Sequence, residues 1–365
     1  MRDPWDESEL ARRFAETSVS MEPRAPLYGA LARGIASDRA LHGLLLHAPP
    51  EQRLPVLLFA AVHDLLLADP SHPLAQWYPN LTDNHRSPSD SALLATFAAF
   101  VDDHAPTIKA MLSTRSVQTN EVGRTGLLLP ALCLAASEFG ELALLDVGTS
   151  AGLTLFLDRY HFTYWAHGDK VADIGPASSV QIDVDVRGTG PIAETIPTIA
   201  TRCGIDLAPI DVTDPSAARW LQACVWPDQA ARFQRLRSAL AIAAEAPPEI
   251  LAGDAVASVV PALERLTQRG HPVVTNSWAL NYLRADQQSE YVTKLDRFGS
   301  DHDLSWVFAE APALTPGLPW DAVFDDPHLT VLSIATWRNG ERTQRHLASA
   351  HPHGYWLHWM PGTAD

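Results

Sequence analysis

The sequence predicts an α/β protein whose larger part is built on a mostly parallel, doubly wound sheet. Three observations carry the prediction. The hydrophobic period is helical from residue 6 to about 113, then gives way to short apolar runs alternating with helical patterns. The first of these runs, Leu142 to Leu145, passes through Asp146 into Gly148-Thr149-Ser150-Ala151-Gly152, a tight turn between strand and helix. The last two runs meet at Asn339-Gly340, a strong hairpin signal.

The elements follow in order. Leu10, Phe14 and Thr17 mark one face of a first helix, and Pro26 opens a second through Leu27, Leu31 and Ile35. Leu54 to Leu67 reads as a buried helix and Ser89 to Leu112 as another, punctuated by Pro49-Pro50, Pro70 and Pro88. A helix from Val122 to Phe139 leads into the Leu142 strand, and Leu153 to Tyr160 reads as the helix after the glycine turn. Further strands are expected at Val180–Val186, Ile199–Ile205, Ile250–Gly253, Val273–Asn276 and Leu304–Ala309, and in the closing pair Leu329–Trp337 and Arg342–Ala348. Helices are expected between them at Ala217–Glu245, Ala255–Arg269 and Arg284–Phe298. The expected organisation is an N-terminal helical cap, residues 1–115, and an α/β domain, residues 116–365, with strands and a hairpin inserted at 162–198 and a C-terminal β-hairpin.

Composition narrows the function. The 365 residues are 46% hydrophobic and 19% charged, an ordinary globular balance that excludes disorder and collagen. With 43 acidic against 27 basic residues the net charge is −16, which repels phosphate backbones, so no nucleic-acid partner is expected. The apolar run Leu54–Ala68 contains His63 and Asp64 and is too short and too polar to span a bilayer, so no membrane partner is expected. The first residues lack the basic-then-apolar order of a signal peptide. Three scattered cysteines, Cys133, Cys203 and Cys224, give neither a disulfide framework nor a thiolate metal site, and a cytoplasmic setting is expected.

Three acids fall where a parallel sheet holds its ligand, outside the carboxyl ends of its strands. Asp146 precedes the turn shaped by Gly148 and Gly152, and the helix after that turn is expected to offer unpaired N–H groups and a positive dipole end. Asp206, in Gly204-Ile205-Asp206-Leu207-Ala208-Pro209, is suited to two ribose hydroxyls. Asp254, in Gly253-Asp254-Ala255, is placed to accept from an exocyclic amine. Each of the three also suits a helix N-cap, and the two roles coexist.

The order D-x-G-x-x-x-G, G-I-D-x-x-P and G-D-A, followed by an apolar strand entering Asn276-Ser277-Trp278-Ala279-Leu280-Asn281-Tyr282, resembles the class I S-adenosylmethionine-dependent methyltransferases, whose fold is Rossmann-like. The resemblance covers residues 120–345. It implies that Gly148 and Gly152 shape the loop at the cofactor's amino-acid portion, with Asp146 and Ser150 as further cofactor-binding candidates, that Asp206 takes the ribose and Asp254 the adenine, and that the Asn276–Tyr282 segment faces the methyl group and a small-molecule or peptide acceptor. Two features depart from that pattern. Ser150 stands where a middle glycine is usual, and the 162–198 insertion places Asp206 60 residues after Asp146, where about 20 is the rule. The whole chain is also similar to a bacterial family catalogued only as a domain of unknown function. The motifs are Asn120-Glu121-Val122-Gly123-Arg124, Ser150-Ala151-Gly152-Leu153 with Asp158-Arg159-Tyr160, and Trp220 through Trp226-Pro227.

Around this frame Arg124 is a candidate clamp on the cofactor carboxylate, or the partner of Glu121 on a solvated helix face. Glu121 is the candidate base, and Asn276 and Tyr282 are candidates to meet the acceptor. Trp278 and Tyr282 also read as core aromatics, and His63 with Asp64 either line the cleft or pair with a neighbouring helix, the second being the preferred reading. His346, His351, His353 and His358 cluster without a carboxylate or cysteine at metal-site spacing, so no metal is expected. A rival reading takes Gly148-Thr149-Ser150-Ala151-Gly152 as the nucleophile elbow of an α/β-hydrolase, with Ser150 as nucleophile and Asp254 and His328 as partners. A third is a non-catalytic binding protein on a degenerate cofactor fold.

Overall fold

The computed structural model describes residues 7–192, 194–321, 324, 326 and 329–362. It is a mixed α/β protein of two compact units, Met1–Thr119 with Asp214–Arg237 and Asn120–Thr213 with Ser238–Asp365.

The first unit opens with α1 (Glu7–Met21), α2 (Pro26–Ala36), α3 (Arg39–His42), α4 (Pro55–Ala68), α5 (Leu93–Asp103) and α6 (Ala105–Thr114). The single helix expected over Ser89–Leu112 is two. Pro106 lies in the first turn of α6, where its missing N–H costs nothing, and its ring prevents continuation from α5. The centre of this unit is α4, apolar nearly all round and buried on nearly all sides. His63 and Asp64 on α4 are satisfied within the unit. The His63 Nδ1–H donates to the Ala223 carbonyl (3.0 Å) and Nε2 accepts from Asn80 (2.9 Å), while Asp64 pairs with Arg219 at 3.1 Å.

The second unit begins with α7 (Thr125–Phe139), β1 (Leu142–Val147), β2 (His161–Ala166), β3 (Asp169–Ile174), β4 (Gln181–Arg187) and β5 (Ile199–Asp206). The chain then returns to the first unit for α8 (Pro215–Ala223), and the boundary back to the second unit falls within α9 (Ala230–Glu245), so the helix expected over Ala217–Glu245 is also two. The remainder is β6 (Ile250–Ala252), α10 (Ala255–Leu266), β7 (His271–Ser277), α11 (Ala285–Asp301), β8 (Leu304–Glu310), β9 (Thr330–Arg338), β10 (Glu341–Ala350) and β11 (Trp356–Trp359).

The strands among the described residues form one sheet in the order β3-β2-β4-β11-β10-β9-β8-β7-β1-β5-β6. The run β6-β5-β1-β7-β8 is parallel throughout, and its order reverses at β1, so β1 and β7 are neighbours joined by no direct connection. One face is covered by α10 and α11, with Leu263, Tyr291 and Leu295 packed against Leu145, Val274 and Trp306. The β9–β10 hairpin turns at Asn339 and Gly340, both at positive φ (51° and 81°), as its sequence requires. The inserted strands form a β2–β3 hairpin with β4 beside it, and they join the sheet through β11 at the end remote from β5.

The segment Leu153–Arg159 is a 3-10 turn, not the α-helix expected after the glycine loop. Gly152 enters it in the left-handed conformation (φ 73°), and a short 3-10 segment carries no sizeable macrodipole. The stretch Val122–Phe139 is long and apolar enough to cross a membrane, but 61% of it is buried inside the fold, and α7 packs against β1, β4, β7, β8 and β9. The three cysteines are free.

Candidate functional site

Because β5, β1, β7 and β8 are parallel, their carboxyl ends form a row, and most of the predicted site residues lie along it within the second unit. Register explains the first of them. Asp146 stands opposite Thr275, whose hydroxyl donates to Oδ1 at 2.7 Å, and Thr149 donates to Oδ2 at 2.6 Å. The carboxyl is almost fully buried, and that burial pushes its pKa up to about 6. The two hydroxyls and Arg124 oppose the shift, and the nearby Asp206 adds to it. Asp146 is thus an internal brace that closes the turn, and not a helix cap.

The turn itself is left-handed at Gly148, Ser150 and Gly152 (φ 83°, 55° and 73°). A Cβ at position 148 would overlap that of Ala279, so glycine is required there by the close approach of the two loops after β1 and β7. The N–H groups of Gly148 and Thr149 donate to the Ile205 carbonyl (2.8 and 3.2 Å), and that of Ser150 donates to Asp206 Oδ2 at 2.6 Å. Asp206 also accepts from Ala208 N (2.9 Å) and is half-buried. The amides of the turn itself are therefore bonded to the end of β5. Asp254 is exposed and caps α10, accepting from Ala257 N at 2.9 Å.

Arg124 is buried, with Nε donating to the Pro352 carbonyl (2.7 Å) and Nη1 to that of Ser277 (2.9 Å), so it ties the loop after β10 to the end of β7. Glu121 is buried like Arg124, not on a solvated helix face. Its Oε1 accepts from Gly123 N, and Oε2 lies 3.3 Å from His353 Nδ1, a contact between residues far apart in sequence. His351 stacks on Tyr355. Among the described residues no group of three His, Cys, Asp or Glu side chains could hold a metal.

Two expectations are corrected by burial. Asn276 has no exposed surface, and its carboxamide is engaged inside the fold. It donates to the Val147 carbonyl (2.9 Å) and accepts from Trp306 Nε1 (2.8 Å) and the Tyr291 hydroxyl (3.2 Å). It fixes β1, β8 and α11 to one another and presents no surface to an acceptor. Tyr282 is the reverse, 83% exposed, and so not the core aromatic the sequence also allowed. Trp278 is half-buried at positive φ (53°), with Nε1 donating to Thr330. For the hydrolase constellation, Ser150 is buried with its N–H held by Asp206, Asp254 is committed to its cap, and His328 lies outside the described residues.

Sequence reasoning missed Glu310, the last residue of β8. It has no exposed surface, and its Oε1 accepts from the N–H groups of Ala279 (2.8 Å) and Leu280 (3.1 Å). Burial pushes its pKa up to about 7 against those two amides and Arg124. The signal was present: an acid follows the apolar run Leu304–Ala309, as acids stand at or near the ends of β1, β5 and β6. Two cavities of this unit lie away from the row. One, about 270 Å³, lies between α7 and the β9–β10 hairpin, and one, about 400 Å³, is lined by Phe156, Arg159, the start of β5 and Pro247–Pro248.

No curated protein and no solved structure matches the chain. A family profile does, over residues 8–359, nearly the full length and both units. The chain belongs to that family, described as uncharacterized protein conserved in bacteria (DUF2332).

Proposed function

We propose that this protein is an S-adenosylmethionine-binding enzyme that methylates a small-molecule or peptide acceptor, on a Rossmann-like, methyltransferase-type second domain. The observation that carries the reading is the acidic row at the reversal point of the parallel strands. Such reversal points are where open α/β sheets take ligands, and here Asp206 and Asp254 stand at the ends of β5 and β6 and Glu310 at the end of β8. The amides of Gly148, Thr149 and Ser150 are already bonded, which disfavours a pyrophosphate. A cationic nucleoside suits that charge pattern better than a dinucleotide does.

The residues fit the cofactor. Asp206 is half-exposed, and a carboxylate with two acceptors engaged retains lone pairs for a ribose diol. Asp254, exposed at the neighbouring strand end, is the group for the adenine amine. Ser277, at the end of β7, keeps a buried hydroxyl oxygen with no hydrogen-bond partner among the described residues. Bound there, the cofactor supplies a methyl group activated on a sulfonium. The protein's part is to hold the reactants in line and exclude water. Glu121 with His353 beside it is the candidate for taking a proton from the acceptor.

Calorimetric titration with S-adenosylmethionine and S-adenosylhomocysteine tests this. Binding is expected, weakened roughly 10- to 100-fold in Asp206→Ala, which loses charge-assisted hydrogen bonds of about 1.5–3 kcal/mol. No binding to the unmodified protein, or undiminished binding to the variant, overturns the reading.

A further inference from the structure

Glu310 has one oxygen accounted for and one not. Its Oε1 holds the amides of Ala279 and Leu280, and Oε2 has no hydrogen-bond partner among the described residues although the side chain is fully buried. The turn that Glu310 braces carries two further oxygens in the same condition, Ser277 Oγ and Asn281 Oδ1. A carboxylate, a hydroxyl and a carboxamide oxygen form a set rich in acceptors. Burying these oxygens without a hydrogen-bond partner among the described residues is costly, and the charge of Arg124, felt at the carboxyl, does not offset the burial of the carboxylate. A primary ammonium answers both needs, with three N–H donors and a positive charge.

The set lies beside the candidate cofactor site. Ala279, held by Glu310, is the residue whose Cβ leaves no room for a side chain at position 148, so the acceptors border the turn after β1. Two strand spacings separate β8 from β1, about 10 Å. Arg124 holds the carbonyl of Ser277 on the same turn and brings an opposite charge near the carboxyl. A carboxylate and a guanidinium around one turn match the two charges of a free α-amino acid.

We propose that Glu310 receives the α-ammonium of S-adenosylmethionine, with Ser277 and Asn281 completing the acceptor set. This rests on the cofactor reading above. Glu310 is thereby a binding residue and not only a brace for the turn. In the free protein its carboxyl, raised by burial, is readily protonated, and an arriving ammonium favours the ionised form.

The test compares two ligands that share adenine, ribose and sulfur. S-adenosylhomocysteine carries the amino-acid chain and 5′-methylthioadenosine lacks it. Calorimetry on the unmodified protein should detect both, and if neither binds it is the cofactor reading that fails. In Glu310→Gln, whose carboxamide oxygen can keep both amide bonds, S-adenosylhomocysteine should weaken roughly 10- to 100-fold and 5′-methylthioadenosine less than about twofold. Asp206→Ala should weaken both alike. If Glu310→Gln weakens both ligands equally, Glu310 only positions the turn and the proposal is wrong; it is equally wrong if neither weakens. Should the variant not fold, the unmodified protein decides. It should bind the desamino analogue of S-adenosylhomocysteine at least about tenfold more weakly than S-adenosylhomocysteine, and equal affinity refutes the proposal.

Discussion

Replacing Glu310 by Gln should stabilise the protein, and by an amount that depends on pH. The folded carboxyl has its pKa raised by burial from 4.5 to about 7. Between those values the native state keeps a proton that the unfolded chain has released. Stability therefore falls as pH rises through this window and is level above it. The shift is about 2.5 units at 1.36 kcal/mol each, so ionised Glu310 costs about 3 kcal/mol at pH 8 that it does not cost at pH 4. Glutamine keeps the shape and the bonds to Ala279 and Leu280 without the charge. Urea unfolding of both proteins at pH 8 and pH 4.5 measures the effect. Glu310→Gln should gain about 3 kcal/mol relative to the parent on going from the lower pH to the higher. In melting temperature that is roughly 6–12 °C for a unit of this size. An equal difference at the two pH values would show that the carboxyl is not desolvated in the native state, and would refute the reasoning. A residue whose charge costs this much is what a ligand-binding carboxylate looks like before its cation arrives.

Two further predictions concern the parts around it. Gly148→Ala should lose about 2–4 kcal/mol in denaturant unfolding, since alanine is strained at φ 83° and its methyl would overlap Ala279; a loss under about 0.5 kcal/mol would mean the two loops are not in contact. In the helical unit, burial lowers the His63 pKa from 6.5 to about 4, so its stabilisation is complete above pH 6.5 and is lost as pH falls toward 4. The parent should lose about 3 kcal/mol over that range that His63→Leu does not, followed by hydrogen exchange of residues 26–112, and parallel acid limbs in the two proteins would contradict it.

What was legible in the sequence was local. Apolar runs mark β1, β7 and β8 because a strand buried on both faces needs apolar residues throughout. Asn339-Gly340 and the Asp254 cap read correctly because turn and cap chemistry involves residues two or three apart. The positions of Asp146, Asp206 and Asp254 at strand ends belong to the same class of signal. The breaks in the expected helices at Pro106 and between α8 and α9 follow the same local rules, and the Ser89–Leu112 period hides the first only because both helices bury apolar residues at similar spacing.

The tertiary structure decided the rest. Alternation in the inserted strands predicts a sheet but not that β4 joins it beside β11, since strand pairing is set by backbone groups every residue carries. Asn276 and Tyr282 look equally placed after an apolar strand, yet one is sealed between Val147, Tyr291 and Trp306 while the other stands in solvent. The bond of Asp206 to the glycine turn, the approach of Glu121 to His353 and the unmatched oxygens around Glu310 all join residues distant in the chain. Periodicity reports that a side chain is buried. Which partner meets it there, and whether a charge is left uncompensated, is settled only when distant segments come together, because hydrogen bonding and desolvation act over a few ångströms of space and not of sequence.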